Sequence, residues 1–274
     1  MRHRSFLTVA FLFVISSGKT VRRCFCCEAI VLRRLGGSTS FPGYRRQRRQ
    51  NYLSRHIQFA ASDGETDDNG VLQNDDSAAR SPFGTREYWD SLYQGNGDYP
   101  ANEYQWYYGF QEYGKYVTQL IPRNSNVLLP GIGNDPIILD LLQKGYSTLT
   151  GTDYSKHAIE RQQELLSYSY GNVDMVKLHC MDARKMPTDW SDKFDAIVEK
   201  GALDAIYLSG DGNLEKAVKE FERVLRPGGI LIDISGVVPG ELRRDVFDEQ
   251  KWEWVRDGSD DLKAGIFILK LLSS

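Results

Sequence analysis

Residues 127–153 constrain the fold of this chain more than any other segment. A hydrophobic run through Leu129 leads into a turn with Gly131 and Gly133, then an apolar-periodic segment and a second short run ending on Asp153. Strand, tight turn, helix, strand and acidic residue, in that order, form a nucleotide-binding βαβ unit. Glycines let the backbone approach a ligand, and a carboxylate at the second strand's tip can accept hydrogen bonds from ribose hydroxyls. The segment therefore predicts a nucleoside site at this turn.

The spacing inside this unit indicates which kind of ligand it suits. Asp153 follows Gly133 by 20 residues, and dinucleotide-binding units place an acidic residue about 20 residues beyond their glycines. The third glycine of the dinucleotide pattern is absent, because Pro136 occupies its place. That glycine belongs to a site for pyrophosphate on a helix N-terminus, so its absence favours a nucleoside ligand that lacks phosphates.

Charge is distributed unevenly along the chain, although the net charge is only −3. Residues 1–56 are rich in arginine with Glu28 as their one acid, and residues 63–76 carry acidic but no basic side chains. Hydrophobic residues make up 41% and charged residues 26% of the sequence, as is typical of globular proteins. From residue 81 onward no basic face interleaved with aromatic residues is evident, which disfavours RNA or DNA as a partner.

The first 56 residues have the composition of a targeting presequence or a basic arm. A basic start, an apolar run over 6–15 and small residues after it make a secretory signal pattern. The run is too short for a transmembrane helix, which needs about 20 residues, so we expect no stable membrane anchor in the mature form. The Arg-rich, acid-poor stretch through Arg55 has transit-peptide composition. Signal and transit in series resemble the bipartite presequences of algae with secondary plastids, and we expect an organellar, plastid-type location.

Two alternatives for this segment stay open: a wrongly assigned start codon, which would leave a cytoplasmic protein, and a basic interaction arm. Residues 57–80 are polar and predict an acidic, disordered linker. Cys24, Cys26 and Cys27 lie in the basic segment and lack a second CxxC or HxxxH partner, so we expect no metal site. The folded domain is predicted over 81–274.

From residue 81 onward, strand-like and helical patterns alternate. The strand candidates are 127–130, 147–152, 173–179, 194–198 and 229–234, and helical segments lie between them at 136–144, 155–168 and 214–225. Such alternation predicts a parallel sheet covered on both faces. Two further strand-like runs, at 251–256 and 265–271, form a hairpin. We therefore predict an α/β fold with a doubly wound, seven-stranded, mostly parallel sheet and a C-terminal antiparallel hairpin, the Rossmann-like topology of class I methyltransferases.

Several short motifs across 81–272 resemble the S-adenosylmethionine-dependent methyltransferases that modify lysines of elongation factor 1-alpha. They are YWDSLY at 88–93, EYQWY at 103–107, LPGIGN at 129–134, GTDYS at 151–155, MDAR at 181–184, FDAIVEKGALDA at 194–205 and VLRPGG at 224–229. The pairing of YWDxxY with VEKGxLDA is the most specific of these signals. The family usually has Cys where Ile132 stands and often Ser where Asp135 stands, and neither change blocks the turn's backbone.

The resemblance implies S-adenosylmethionine as cofactor and assigns residues to its two ends. Gly131 and Gly133 would approach the methionine part and the ribose. Asp153 would accept the ribose hydroxyls, because a carboxylate offers paired acceptors. Tyr154 would pack on the adenine.

The remaining cofactor residues come from more distant parts of the chain. Asp182 and Ala183 would recognise the adenine edge, and Lys200 follows the fourth strand at the carboxyl edge, where open α/β sheets bind ligands. The aromatic residues Trp89, Tyr93 and Tyr104 would surround the cofactor, since aromatic faces suit a sulfonium cation.

The implied reaction is methyl transfer to a protein lysine, with a translation elongation factor as the leading partner. A lysine amine has an ordinary pKa of about 10.4, so the site must favour loss of its proton. Glu199 and Asp204, around the end of the fourth strand, are the predicted catalytic residues that orient the amine. No Asn/Asp-Pro-Pro-Tyr/Phe sequence follows that strand, which argues against the adenine and glutamine methyltransferases that use it.

Each of these residues also has a structural alternative. Asp153 could cap a helix, Asp182 could be a surface turn acid, and the aromatic residues could be core. At the level of function, a small-molecule methyltransferase and a non-catalytic cofactor-binding module stay open. An NAD(P)-dependent oxidoreductase is disfavoured by the missing third glycine and the terminal hairpin.

Overall fold

The computed structural model describes residues 78–96, 106–172, 174 and 176–273. The predicted presequence or arm (1–56), most of the predicted linker and Tyr104 lie outside these residues, as do positions 173 and 175 of the third strand candidate. Among the described residues, no helix has the length and apolar character needed to cross a membrane.

The described chain alternates strands and helices from residue 126 onward. The strands are β1 (Asn126–Pro130), β2 (Thr148–Asp153), β3 (Lys177–Cys180), β4 (Phe194–Lys200), β5 (Leu225–Ser235), β6 (Trp252–Arg256) and β7 (Gly265–Leu271). The helices are α1 (Arg86–Tyr93), α2 (Phe110–Leu120), α3 (Ile137–Gln143), α4 (Lys156–Tyr170), α5 (Ala202–Leu208), α6 (Asn213–Val224) and α7 (Gly240–Val246).

One seven-stranded sheet organises these elements, in the order β3-β2-β1-β4-β5-β7-β6. Strands β1 to β5 pair in parallel, whereas β7 is antiparallel to both β5 and β6. The predicted fold, including the C-terminal hairpin, is confirmed. The strand order reverses between β1 and β4, and in open α/β sheets ligands bind at the carboxyl ends of the strands beside such a reversal.

Helices cover both faces of the sheet because the strands are apolar on both sides. Val127 and Leu129 join the core under α2 and α3, and Leu128 between them joins the core under α6. This alternation is the period-two geometry of a strand, and burial on both faces explains the near-continuous hydrophobic runs of a parallel sheet.

Helix α6 shows how the sequence builds one of these covers. Its buried apolar residues recur at helical spacing and form one stripe: Leu214, Ala217, Val218, Phe221 and Val224. Such a stripe faces the core while the charged residues between its members face solvent.

Two details depart from the predicted boundaries. Strand β5 begins at Leu225, before the predicted start at 229, and its register with β4 is interrupted until Ile230, so the LRPGG segment forms a bulge within the strand. The folded part begins before residue 81, because the Arg80 amide donates to the Leu208 carbonyl at 2.7 Å and its guanidinium donates to the Tyr207 carbonyl at 2.7 Å.

Candidate functional site

The glycine turn after β1 has the left-handed backbone that glycine tolerates best. Gly131 has a φ of 58° and Gly133 a φ of 53°. A Cβ atom at position 131 would lie 2.5 Å from the Ala202 Cβ, and one at position 133 would collide with the Tyr93 hydroxyl. Both positions therefore require glycine, because of their left-handed backbone and because Ala202 and Tyr93 pack closely against them.

Asp153 lies at the tip of β2 with only 4% of its surface exposed. Its carboxylate accepts hydrogen bonds from the Gly133 amide at 2.9 Å and the Ser155 amide at 2.8 Å. Burial raises the pKa of Asp153 to about 6, although these two amides oppose the shift. A carboxylate has about four acceptor positions, so both oxygens can accept further donors.

Helix α1 is bound to the tip of β2 by polar side chains from both. The Ser155 hydroxyl donates a short hydrogen bond to Asp90, and the Tyr154 hydroxyl donates to the Thr85 carbonyl at 3.2 Å. The Arg86 guanidinium lies 5.8 Å from the centre of the Tyr154 ring. The YWDSLY and GTDYS motifs, far apart in the sequence, thus form one surface.

An aromatic cluster stands above the glycine turn. Trp89 is buried, donates from its indole nitrogen to the Phe83 carbonyl at 2.8 Å and stacks on Tyr93 with ring centroids 6.0 Å apart. Trp106 packs against Trp89 at 5.5 Å. Trp89 is thus the centre of the cluster, whereas Tyr93 lies at its edge and contacts Gly133. Burial, and next the Asp153 charge, raise the pKa of Tyr93, so its hydroxyl stays protonated.

Asp182 and Ala183 follow β3, and Asp153 pairs with Cys180 at the end of that strand. Both predicted adenine residues therefore lie beside the predicted ribose residue. The Asp182 carboxylate accepts from the Arg184 amide at 2.8 Å and from its guanidinium at 2.7 Å. Burial would raise the pKa of Asp182, but the hydrogen bonds from Arg184 outweigh it and lower the pKa.

Lys200, at the end of β4, is buried and uses its ammonium group within the protein. It forms an ion pair with Asp135 and donates to the carbonyls of Trp106 at 2.9 Å and Tyr108 at 3.0 Å. An ammonium has three N–H donors, so these partners account for all of them. Lys200 therefore holds the Trp106–Tyr108 segment against the glycine turn instead of presenting its charge to a ligand.

Glu199 lies beneath the site with 1% of its surface exposed. One carboxyl oxygen accepts from the Leu203 amide at 3.1 Å, and its register partner on β5 is Asp233, which pairs with the buried Arg243. Burial, followed by the charge and hydrogen bond of Asp233, raises the pKa of Glu199 well above its ordinary range. Burial and Asp233 thus favour the protonated form of Glu199.

Asp204 is also turned inward, with 3% of its surface exposed. Its two oxygens accept from the Tyr107 hydroxyl at 2.6 Å, the Ser235 hydroxyl and the amides of residues 236, 237 and 238. These five donors occupy the hydrogen-bond acceptor positions of the Asp204 carboxylate. Both carboxylates are thus buried and bound to internal partners in this structure, and the catalytic role of Glu199 and Asp204 stays a prediction.

Tyr107 and Asp135 are site residues that the sequence reasoning did not single out. Tyr107 has a φ of 58°, which is rare for a residue with a side chain. Its ring lies where Cβ atoms on Gly201 and Gly236 would come within 3.4 Å and 3.0 Å. The EYQWY motif contained Tyr107, but only the spatial position of the two glycines reveals its role.

Comparisons with known proteins agree with this geometry. A family model described as "Methyltransferase domain" matches residues 128–233. Human EEF1A lysine methyltransferase 2 is 30% identical over 172 residues, which are 59% of this chain and 71% of that protein. Mouse EEF1A lysine methyltransferase 4 is 25% identical over 178 residues, covering 61% of this chain and 67% of that protein.

The solved structures with the same fold include a glycopeptide N-methyltransferase, MtfA, complexed with S-adenosyl-L-methionine. The similarity has a TM-score of 0.51 at 12% identity and covers 64% of this chain and 98% of that one. The match to human EEF1A lysine methyltransferase 2 covers more than two thirds of that relative. The chain therefore belongs to the class I S-adenosylmethionine-dependent methyltransferases, in the family of the EEF1A lysine methyltransferases, with S-adenosylmethionine as its cofactor.

Proposed function

We propose that this methyltransferase modifies a lysine side chain of a protein, with a translation elongation factor as the leading substrate. The observation that carries the proposal is the 30% identity to human EEF1A lysine methyltransferase 2. The motifs that resemble that family are the segments that build the site: the YWDSLY helix, the glycine turn, the tip of β2 and the end of β4.

The residues of the site fit an adenosyl sulfonium ligand. Gly131 and Gly133 carry no side chain that would keep a ligand from the backbone of the turn, which suits close approach. Asp153 keeps acceptor positions for two ribose hydroxyls, and Asp182 and Ala183 stand beside it for the adenine. With the adenosyl end at β2 and β3, the sulfonium end extends toward β4.

The aromatic cluster closes the site on the side of α1. Tyr93 contacts the glycine turn, and we assign it to the cofactor's surroundings, with Trp89 supporting it from behind. Aromatic faces attract a cation that is shielded from water. Tyr104, which belongs to the same motif as Trp106, remains a predicted member of this wall.

The bound cofactor supplies an electrophilic methyl group on a positively charged sulfur. The protein must bring a neutral amine into line with that methyl group and exclude water, because both alignment and desolvation lower the barrier to such a displacement. Lys200, Glu199 and Asp204 serve this purpose indirectly. They hold the Trp106–Tyr108 segment, the start of α5 and the loop after β5.

The decisive experiment is transfer of labelled methyl groups from S-adenosylmethionine into a proteome extract by the full chain. We expect label in protein, and mass spectrometry should locate it on a lysine side chain. Asp153→Ala should abolish the transfer, whereas Asp174→Ala, at an exposed acid after α4, should leave it intact. Label confined to small molecules, or to residues other than lysine, would overturn the proposal.

We also propose that residues 1–56 form a bipartite targeting presequence. Their basic, acid-poor composition after a short apolar run supports this assignment. N-terminal sequencing of the protein from its native cells tests it directly. A mature protein that begins near residue 56 supports the presequence, whereas one that retains residue 2 contradicts it.

A further inference from the structure

Tyr107 is held in an unfavourable backbone conformation by contacts on every side. The Lys200 ammonium binds the carbonyls of the residues before and after it, Trp106 at 2.9 Å and Tyr108 at 3.0 Å. Its hydroxyl donates to Asp204 at 2.6 Å. A left-handed conformation at a residue with a side chain costs about 1–3 kcal/mol and persists where the surroundings over-determine it, most often at functional sites. This outlier therefore calls for a functional explanation.

The position of Tyr107 assigns it to the acceptor side of the site. Its ring lies against Gly201, directly after β4, and Gly236, directly after β5. The predicted ribose and adenine residues lie at the ends of β2 and β3, on the other side of the glycine turn. A cofactor that extends from β2 across β1 presents its methyl group toward β4 and β5, which is where Tyr107 stands.

The Tyr107 hydroxyl can serve as an uncharged hydrogen-bond partner for an amine. The Tyr107 hydroxyl donates its hydrogen bond to Asp204, and its oxygen has two lone pairs. The backbone N–H of Gly236 lies close enough to one of them to lower the pKa slightly, which leaves the other lone pair to accept. Burial, and next the Asp204 charge, raise the pKa of Tyr107 far above its ordinary value, so it stays protonated and cannot act as a base. Asp204 itself is filled by its five donors.

We propose that the Tyr107 hydroxyl oxygen accepts a hydrogen bond from an N–H of the acceptor amine and thereby aims the amine's lone pair at the methyl group. This inference rests on the proposed amine methylation. The amine enters neutral, after its ammonium proton has passed to solvent. Its lone pair forms the new N–C bond while the S–C bond breaks, and the sulfur keeps that electron pair and leaves as a neutral thioether. The methylammonium product then loses a proton to solvent.

The test compares Tyr107→Phe with the wild-type full chain on the protein acceptor found by the proteome experiment. Single-turnover methyl transfer should slow about 10- to 100-fold, because loss of alignment at the reacting atoms costs on this scale. The affinity for S-adenosylmethionine should stay within about twofold, since the hydroxyl faces the acceptor side. Tyr146→Phe is the matched control: it removes a buried hydroxyl bonded to the carbonyls of Val117 and Ile121, remote from the site.

A second variant moves the ring without removing the hydroxyl. In Gly236→Ala, the new Cβ atom would come 3.0 Å from a ring carbon of Tyr107 and must displace it, while the backbone amide that binds Asp204 is kept. We expect slower transfer here as well, with unchanged cofactor affinity and an unfolding temperature close to wild type.

The outcomes separate this inference from the proposed function. If the wild-type chain methylates no lysine, the proposed function fails. If it does so and Tyr107→Phe transfers at the wild-type single-turnover rate, the role of Tyr107 is refuted. A parallel loss of cofactor affinity in Tyr107→Phe but not in Tyr146→Phe would also refute it, because it would place the hydroxyl at the cofactor.

Discussion

The Gly133 amide donates a 2.9 Å hydrogen bond to the Asp153 carboxylate, so the glycine turn after β1 and the tip of β2 hold each other in place. The same carboxylate accepts from the Ser155 amide at the start of α4. One buried acid thus joins the two loops that would contact the cofactor's ribose. Its charge state should therefore control cofactor binding.

We predict that cofactor affinity falls as the pH is lowered through about 6, the pKa to which burial raises Asp153. Above that pH the carboxylate is ionised and accepts ribose hydroxyls, and below it the proton weakens those bonds. Hydrogen bonds to charged groups contribute about 1.5–3 kcal/mol, so affinity should fall severalfold, up to about tenfold, between pH 7.5 and pH 5. Titration calorimetry measures this, and Asp153→Asn should bind weakly with little pH dependence between these values.

Because its pKa is raised in the folded state, the ionised Asp153 carboxylate lowers the free energy of unfolding at neutral pH. Its ordinary pKa is 3.8, so the folded state retains the proton more strongly than the unfolded state does. The resulting stabilisation is complete below about pH 4 and is lost as the pH rises through about 6. Relative to Asp153→Asn, the wild-type free energy of unfolding should therefore decrease across this window. A difference that stayed constant from pH 4 to pH 7 would contradict the assignment.

Gly133→Ala should abolish cofactor binding by a steric effect beyond backbone strain. A left-handed alanine costs about 1–2 kcal/mol, and at this position its Cβ atom would also collide with the Tyr93 hydroxyl. Gly171→Ala is the matched control, because Gly171 has a φ of 67° and no atom within 4 Å of an added Cβ. The left-handed backbone should cost both variants a similar amount of folding free energy, but only Gly133→Ala should lose cofactor affinity. Equal affinities in the two variants would disprove the collision.

The buried ion pair between Lys200 and Asp135 should show strong coupling in a double-mutant cycle. Removing one member of a buried pair costs about 3–5 kcal/mol, because the other charge is left without its partner. Lys200→Met and Asp135→Asn together should therefore destabilise the protein by less than the sum of the single changes, as measured by denaturant unfolding. Lys156→Met, at the exposed pair with Glu160, should have a much smaller effect. Additive single changes would show that the pair is not coupled.

Glu199→Gln should keep turnover and cofactor affinity. Burial and Asp233 raise the pKa of Glu199 and favour its protonated form, which a neutral amide of similar shape imitates. The stabilisation from that proton is complete below the ordinary value of 4.5 and is lost as the pH rises through the folded-state pKa. Unfolding at pH 5 and pH 8 should therefore show the wild type losing stability relative to Glu199→Gln. A large loss of turnover at unchanged cofactor affinity would instead support the predicted catalytic role of Glu199.

The parts of the fold that could be read from the sequence are those with a local signal. The glycine turn, the acid 20 residues beyond Gly133 and the terminal hairpin depend on spacing and on turn chemistry within short segments. Helix α5 was not predicted, because its seven residues carry too short a pattern to distinguish it from the end of β4. Asp204 lies on this helix, and its place in the helical turn directs its carboxylate into the protein interior.

The fold class, the glycine turn and the acid at the tip of β2 could be predicted from the sequence, because each follows from residues near one another in the chain. The partners of Lys200, Glu199 and Asp204 could not be predicted in this way, since those partners come from other strands and loops that the fold brings together. Tyr107 shows this most clearly. Its left-handed backbone depends on a lysine 93 residues later and an aspartate 97 residues later, and contacts over such separations leave no pattern in the local sequence.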